Sequence, residues 1–414
     1  MKILHTSDWH LGKQLYSSKR YAEFQAFLEW LSHTIQNQNI DILIVAGDIF
    51  DTNTPSLQAQ ELYYEFLARV HLTPCAHVVV IAGNHDSAYL LETPKTVLKT
   101  LNVHVVGNIT DSIEDEVLLL KDSKQAGLVQ AIVCAVPYLR DKDIRKAQAG
   151  ESQADKNQNT IDGIAQHYQK VLTAAKSKQD ELAKTQALVP IIATGHLFTA
   201  GGKTTENDGV RDLYVGNLGH IHADMLKGIA DYVALGHLHM PQKVAQSDVI
   251  RYCGSPIAMS FGEAEQNKIV CMVEFSSDLY GINTQVQEIA IPKFQKLQSI
   301  KGDWPQIVEQ ISLIKKSKDN YWLEVIYEGK EVKGQLYQEV LALVENTNLQ
   351  VLNTKNNQLR NTVFNQTTTQ VNLQSMSEKE VFNRLLELKE IPAEQRDELQ
   401  ECYAITLQQL VQHN

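Results

Sequence analysis

The chain is poor in the residues that specialised proteins accumulate. Its 414 residues include five cysteines, Cys75, Cys134, Cys253, Cys271 and Cys402. They are scattered, odd in number and set mostly in apolar segments, and no Cys-x-x-Cys pair occurs. A disulfide framework and a cysteine zinc knuckle are thereby excluded, and buried reduced thiols are expected. No uninterrupted apolar run reaches the length that spans a bilayer. The first residues lack the basic-then-apolar layout of a secretory leader. These absences predict a cytoplasmic protein without a membrane partner. Positive charge is also in deficit: 38 Lys and Arg against 49 Asp and Glu leave a net charge of −11. A protein that grips a polyanion through its overall charge is excluded. A phosphate-bearing substrate needs local help here, from bound cations or short basic clusters. The chain also has no Gly-x-x-x-x-Gly-Lys-Ser/Thr phosphate loop.

What is present is a run of short apolar segments that end in polar signatures. Hydrophobic content of 43% with 21% charged residues suits a globular protein of two or three domains. Lys2-Ile-Leu-His-Thr-Ser-Asp8-Trp9-His10-Leu-Gly12 opens as a buried strand and runs into an Asp-x-His pair. If the segment stays extended, side chains two apart point the same way, and Asp8 and His10 face a common point. Tyr21, Phe24, Phe27, Leu28, Leu31 and Ile35 then form a helical stripe. Ile42-Leu-Ile-Val-Ala46 reads as a strand buried on both faces and ends in Gly47-Asp48-x-x-Asp51. A second helix over 56–70 precedes Val78-Val-Val-Ile-Ala82, which ends in Gly83-Asn84-His85-Asp86.

The alternation continues less cleanly. Residues 103–106 and 128–136 read as strands, 147–160 as a polar surface loop, and 161–182 as an exposed helix. Val189 to Thr194 ends in Gly195-His196, and Tyr232 to Leu235 ends in Gly236-His237-x-His239. Strands over 251–253 and 269–275 close the pattern. Beyond about residue 285 a helix-strand-helix-strand run has no such polar tips. After a polar stretch over 356–370, Ser377-x-x-Glu380 is a capping box that opens the first of two terminal helices with apolar stripes. The expected division is 1–280, 281–372 and 373–414, with an α/β first domain carrying its chemistry at the carboxyl ends of strands.

Five strand ends thus offer Asp8, His10, Asp48, Asn84, His196, His237 and His239. In four of the five a glycine precedes the polar group, which reads as a device for turning sharply after a strand. Mixed oxygen and imidazole donors in this number exceed the needs of one tetrahedral zinc. They suit two divalent ions of the Mn²⁺, Fe²⁺ or Zn²⁺ type, with Asp48 as the shared carboxylate. Such a pair of ions activates water and offsets phosphate charge. His85 beside Asn84 is then the candidate to protonate a leaving oxygen, with Asp86 as the candidate to orient its ring.

The pattern Asp-x-His, Gly-Asp, Gly-Asn-His-Asp, Gly-His and Gly-His-x-His resembles the calcineurin-like metallophosphoesterase superfamily over roughly residues 1–275. That resemblance implies a two-sheet sandwich flanked by helices rather than an open doubly wound sheet. It implies that Asp8, His10, Asp48 and His239 hold one metal, and that Asp48, Asn84, His196 and His237 hold the other. His-Thr-Ser-Asp-Trp-His-Leu-Gly, Ala-Gly-Asp-Ile-Phe-Asp-Thr, Ala-Leu-Gly-His-Leu-His and Tyr252-Cys-Gly-Ser-Pro256 are similar to the SbcD family, nuclease subunits of bacterial SbcCD exonucleases.

This second resemblance spans nearly the whole chain. It implies a small α+β capping domain, C-terminal helices that dock an SbcC ATPase, and a homodimer within a heterotetramer. It also implies two metal ions, Mn²⁺ being the expected one. The implied activity is 3′–5′ exonuclease on double-stranded DNA ends and endonuclease on single strands and hairpins, in repair and recombination. Archaeal and eukaryotic relatives carry a second substrate-handling histidine where this chain has Asp51, so a two-histidine mechanism is not carried over. Lys315, Lys316 and Lys318 form the short basic cluster that could touch a DNA backbone. Two alternatives share the same ligands: a small-substrate metallophosphatase or phosphodiesterase, and a DNA-end-binding scaffold for an ATPase.

Overall fold

A computed structural model describes residues 1–145, 150–199, 228, 230–278, 281–329, 333 and 335–356, with isolated positions beyond. The terminal helices expected over 373–414 therefore lie, but for isolated positions, outside the described residues, as do all of residues 200–227.

In chain order, strands β1 (Lys2–Thr6), β2 (Gln14–Leu15) and β3 (Ser18–Lys19) precede helix α1 (Tyr21–Gln38). Then come β4 (Ile42–Ala46), α2 (Leu57–His71), β5 (His77–Ile81), α3 (Ala88–Glu92), α4 (Lys95–Thr100) and β6 (Val103–Val106). β7 (Val117–Lys121), β8 (Val129–Cys134), α5 (Asp141–Ile144) and α6 (Gln153–Leu182) lead to β9 (Ile191–His196) and β10 (Tyr232–Gly236). β11 (Gln242–Lys243), β12 (Ile250–Tyr252), β13 (Ile269–Asp278) and β14 (Gly281–Ala290) follow. The last described elements are β15 (Lys296–Gly302), α7 (Trp304–Lys315), β16 (Tyr321–Tyr327), α8 (Leu336–Val344) and β17 (Leu349–Asn356).

Two six-stranded sheets carry the first unit, in the orders β14-β13-β1-β4-β5-β6 and β11-β12-β10-β9-β8-β7. Within them β1, β4 and β5 run parallel, as do β9 and β10. Their carboxyl ends therefore emerge along one edge of each sheet, where α/β folds place ligands. The run 42–46 shows why both faces are apolar. Ile42, Ile44 and Ala46 enter the core between the sheets with Val79, Ile192 and Ala234. Leu43 and Val45 pack outward against Phe24, Phe27, Leu31, Phe66 and Leu67 of α1 and α2. The second sheet is covered likewise by Ile164, Tyr168, Val171, Leu172 and Ala175 of α6. The result is the expected sandwich, helices outside and two sheets within.

Three local readings change. α6 begins at Gln153, inside the segment read as loop, because Ser152 and Asp155 form a capping box that satisfies its first amides. It is not an exposed helix either, since one face buries Tyr168 and Val171 completely. β14 pairs with β13 along its whole length in the first sheet, although the sequence places it beyond residue 280. Its alternating half-exposed pattern marks an edge strand, which has no polar tip to betray its sheet. The first compact unit accordingly comprises 1–298 with 320–322, and the second 299–319 with 323–414. In the second, β15, β16 and β17 form a three-stranded sheet. α7 there starts on an Asp303–Gln306 capping box with Pro305 in its first turn.

Trp9 ties the opening loop to the first unit. Fully buried, its indole donates to Thr6 Oγ1 at 2.9 Å and meets Phe27 and Phe66 edge-on at 6.0 and 5.3 Å. Trp9→Ala is expected to lower unfolding free energy by about 3–5 kcal/mol, as other buried aromatic truncations do. Urea unfolding of the cation-free protein reads this directly, through the midpoint at unchanged slope.

Candidate metal centre

Asp8 and His10 lie past the end of β1, and both have left-handed backbones, with φ of 53° and 48°. Their convergence does not come from strand alternation. The loop instead docks on the loop after β4 through Asp8 N–H to Gly47 O at 3.0 Å, His10 N–H to Asp48 O at 3.0 Å and Leu11 N–H to Ile49 O at 2.9 Å. Asp48 and His237 are left-handed too, with φ of 51° and 101°. Backbones of this kind are uncommon outside glycine and collect where a site holds them.

The glycines before the polar groups act mainly by what they omit. Only Gly47 has a positive φ. A Cβ at Gly83 would sit 2.2 Å from Asp48 Oδ1, one at Gly236 would sit 1.9 Å from Ala46 O, and one at Gly47 would sit 2.3 Å from His196 Nδ1. A Cβ at Gly195 would likewise sit 2.2 Å from Tyr168 Oη, so the expectation that they turn the chain is corrected: all four permit close approach, and only Gly47 also turns through a positive φ.

Among the described residues three groups of donor atoms result, the atoms of each lying within 4.8 Å of one another: Asp8, His10 and His239; Asp48, His196 and His237; and His10, Asp51 and His85. Asp48 Oδ2 stands 3.2 Å from His196 Nε2 and 3.6 Å from His10 Nε2, so it reaches both of the first two. Asn84 Oδ1 joins the second, 3.0 Å from His196 Nε2 and 3.0 Å from His237 Nδ1. His10 Nε2 and His239 Nε2 face each other at 3.1 Å.

Carboxylate, amide and imidazole atoms at these separations match donors arranged about a common ion roughly 2.0–2.2 Å from each. All of these residues except Asn84 and Asp51 are buried. Nδ1–H of His196 donates to Ala46 O at 2.9 Å, which turns its Nε2 to the centre. His10 Nδ1 is buried without a hydrogen-bond partner, 3.4 Å from Asp51 Oδ1. The residues present thus fit a pair of divalent ions.

Without cations, protons carry the electrostatics. Burial disfavours the His196 imidazolium, but the Asp48 carboxylate outweighs it and raises its pKa to about 9. Burial and the neighbouring His196 lower His237 to about 3. Asp48 is held well below the usual carboxylate range, its own burial being outweighed by His196 and His10.

Asp86 does not orient His85. Its carboxylate accepts from the amides of Gly83 at 2.8 Å, Phe50 at 2.9 Å and Ile49 at 3.2 Å, tying the β4 loop to the β5 loop. Burial and the Asp48 charge push its pKa up to about 7 against those three bonds. His85 Nδ1–H donates instead to Asp51 O at 2.8 Å, which leaves Nε2 for other work. The His85 ring stands edge-on to His10 at 4.8 Å.

Lys315, Lys316 and Lys318 lie exposed at the carboxyl end of α7, in the other unit. Helix ends favour cations there without any ligand. Three contributors escape a reading of motifs: Asp51, paired with Lys13 at 3.0 Å, and the buried pair Glu263 and Lys268 behind His239. The second acid of Gly-Asp-x-x-Asp was visible as a signal for Asp51. Nothing in the local sequence marks Glu263.

The calcineurin-like phosphoesterase family model matches residues 1–241. A second model, the type 5 capsule protein repressor C-terminal domain, matches residues 293–390. The D subunit of nuclease SbcCD from Escherichia coli K12 is 36% identical over 99% of this chain and 98% of its own length. Its namesakes from Rhodobacter capsulatus and Bacillus subtilis are each 34% identical, over 67% and 66% of this chain and the same shares of their own. Membership of the phosphoesterase family implies that the centre holds divalent metal. The chain belongs to the calcineurin-like phosphoesterase family and, within it, to the family of SbcD nucleases.

Proposed function

We propose that the chain is the nuclease component of an SbcCD-type complex, a metal-dependent phosphodiesterase that cleaves DNA. One observation carries this reading: two buried donor groups share Asp48 at the ends of five strands, in a chain that aligns end to end with an SbcD nuclease. Asp8, His10, Asp48 and His239 would hold one ion; Asp48, Asn84, His196 and His237 would hold the other. The ions are Mn²⁺. When bound they supply Lewis acidity and local positive charge, which the net charge of −11 otherwise denies to a DNA strand.

His85 is the proton donor to the leaving oxygen. Its Nδ1–H is engaged by Asp51 O, so only Nε2 is free to carry a proton towards a phosphodiester. Asp86 serves by holding two ligand loops in register rather than by touching substrate. The substrates are double-stranded ends, cut 3′–5′, together with single strands and hairpins. Two copies of this chain and two SbcC-type ATPases assemble as a heterotetramer in the cytoplasm, joined through residues 373–414. No helix among the described residues is long and apolar enough to cross a membrane. A small-substrate phosphoesterase would share every ligand but does not require a second unit of this size.

The purified protein, alone and with an SbcC-type partner, Mn²⁺ and ATP, is expected to degrade blunt and hairpin-ended duplexes. Asp48→Ala should abolish the activity; no metal-dependent cleavage in any combination contradicts the nuclease reading. His85→Ala is expected to keep both metal equivalents by elemental analysis and lose turnover by about 10²–10⁴-fold. Loss of metal in that variant removes His85 from the role of acid. If Lys315, Lys316 and Lys318 contact phosphates, replacing all three with Gln should flatten the dependence of log affinity on log salt for duplex DNA. An unchanged slope leaves them as a solvated helix end.

A further inference from the structure

Tyr252-Cys-Gly-Ser-Pro256 has no ligand of its own, yet each of its first four residues reaches the backing of the metal centre. Tyr252 Oη donates to Leu197 O at 2.6 Å and accepts from Thr199 N–H at 3.1 Å, gripping the chain that leaves His196. Cys253 Sγ lies 3.1 Å from Ser7 Oγ, and Ser7 gives its single proton to the Asp8 carboxylate at 2.5 Å. Gly254, with φ of +78°, leaves no room for a Cβ, which would meet His239 O at 2.5 Å. Ser255 N–H donates to that same carbonyl at 3.2 Å.

Behind Ser255 lies a fully internal ion pair. Lys268 Nζ donates to Glu263 Oε2 at 2.5 Å, to Ser255 Oγ at 2.9 Å and to His239 O at 3.0 Å. Glu263 Oε2 also accepts from Met259 N–H at 3.1 Å. Its other oxygen, Oε1, stands 3.4 Å from His239 Nδ1. Burying two charges is costly, and a buried pair is weak evidence for a role in stability alone. The geometry gives this one a purpose. With Nδ1–H directed at Glu263, the lone pair of His239 sits on Nε2, the atom that faces His10 Nε2 across 3.1 Å.

We propose that Glu263 is the positioning residue of His239, and that Lys268 and the 252–255 segment hold it in place. Glu263 fixes the tautomer and ring angle of His239, and so sets the affinity of the cation shared with Asp8 and His10. This rests on the reading of the site as a two-cation centre.

Two double variants separate positioning from support. Glu263→Gln with Lys268→Met removes both buried charges but keeps an oxygen to accept His239 Nδ1–H. Glu263→Leu with Lys268→Met removes the acceptor as well, at similar volume. In Mn²⁺ titration calorimetry, the Gln variant is expected to bind two equivalents nearly as the wild type does. The Leu variant should weaken one equivalent roughly 10–100-fold and leave the other unchanged. Equal binding by the two variants overturns the proposal.

A second readout does not depend on either variant folding. In ¹⁵N-histidine spectra of the cation-free wild type, with His239→Gln to assign the signal, His239 should carry a proton on Nδ1. A bare Nδ1 overturns the proposal. A wild type that binds no Mn²⁺ overturns instead the cation centre on which it rests.

Discussion

Everything at the metal centre depends on the parallel docking of two short loops, residues 8–11 on residues 47–50. Amides of Asp8, His10 and Leu11 bond the carbonyls of Gly47, Asp48 and Ile49, and Leu11 continues the contact as an isolated parallel bridge with Phe50. To run this way, Asp8, His10 and Asp48 adopt left-handed backbones. Conformations of this class cost on the order of 1–3 kcal/mol each. The surroundings offset that cost: Trp9, Ile49 and Phe50 are completely buried beside α1 and α2, and Asp86 clamps the amides of Ile49 and Phe50. Strain in the loops is thus held by a rigid core, and its product is a set of donor atoms facing inward.

That inward convergence is unfavourable without a positive charge at its centre. Buried carboxylate and imidazole acceptors repel one another, and removing them from water deepens the penalty. Protons relieve it in part, as the raised pKa of His196 and the depressed one of Asp48 indicate. Divalent ions would offset it further and would supply the Lewis acidity a phosphodiester requires. An acidic chain can in this way approach a polyanion, since the positive charge resides in the site rather than on the surface.

Much of this was legible in the sequence because the ligand motifs are local. Asp8-x-His10, Gly47-Asp48, Asn84-His85, His196 and His237-x-His239 each follow a strand that its own apolar run announces. The α/β layering followed from the same runs, buried on both faces, whereas the two-sheet sandwich followed from the family resemblance of the motifs. What escaped depends on contacts distant in sequence. Asp86 looked like a partner for the adjacent His85, but its carboxylate serves backbone amides 36 and 37 residues away. Asp51 holds His85 through a main-chain carbonyl, which no side-chain pattern encodes. Glu263 reaches His239 across 24 residues from a single 3₁₀ turn. The polar start of α6 hid a helix, because a capping box and a solvent-facing surface look like a loop in composition.

The proposed sharing of Asp48 between two ions is the central claim of this account, and electron paramagnetic resonance of the Mn²⁺-loaded protein tests it most directly. A carboxylate common to both ions predicts exchange-coupled Mn²⁺ pairs in the wild type at two equivalents. It further predicts that Asp48→Ala loses the coupled signal. The hyperfine pattern of isolated Mn²⁺ at two equivalents, or a coupled signal that survives Asp48→Ala, would contradict a site built around this residue.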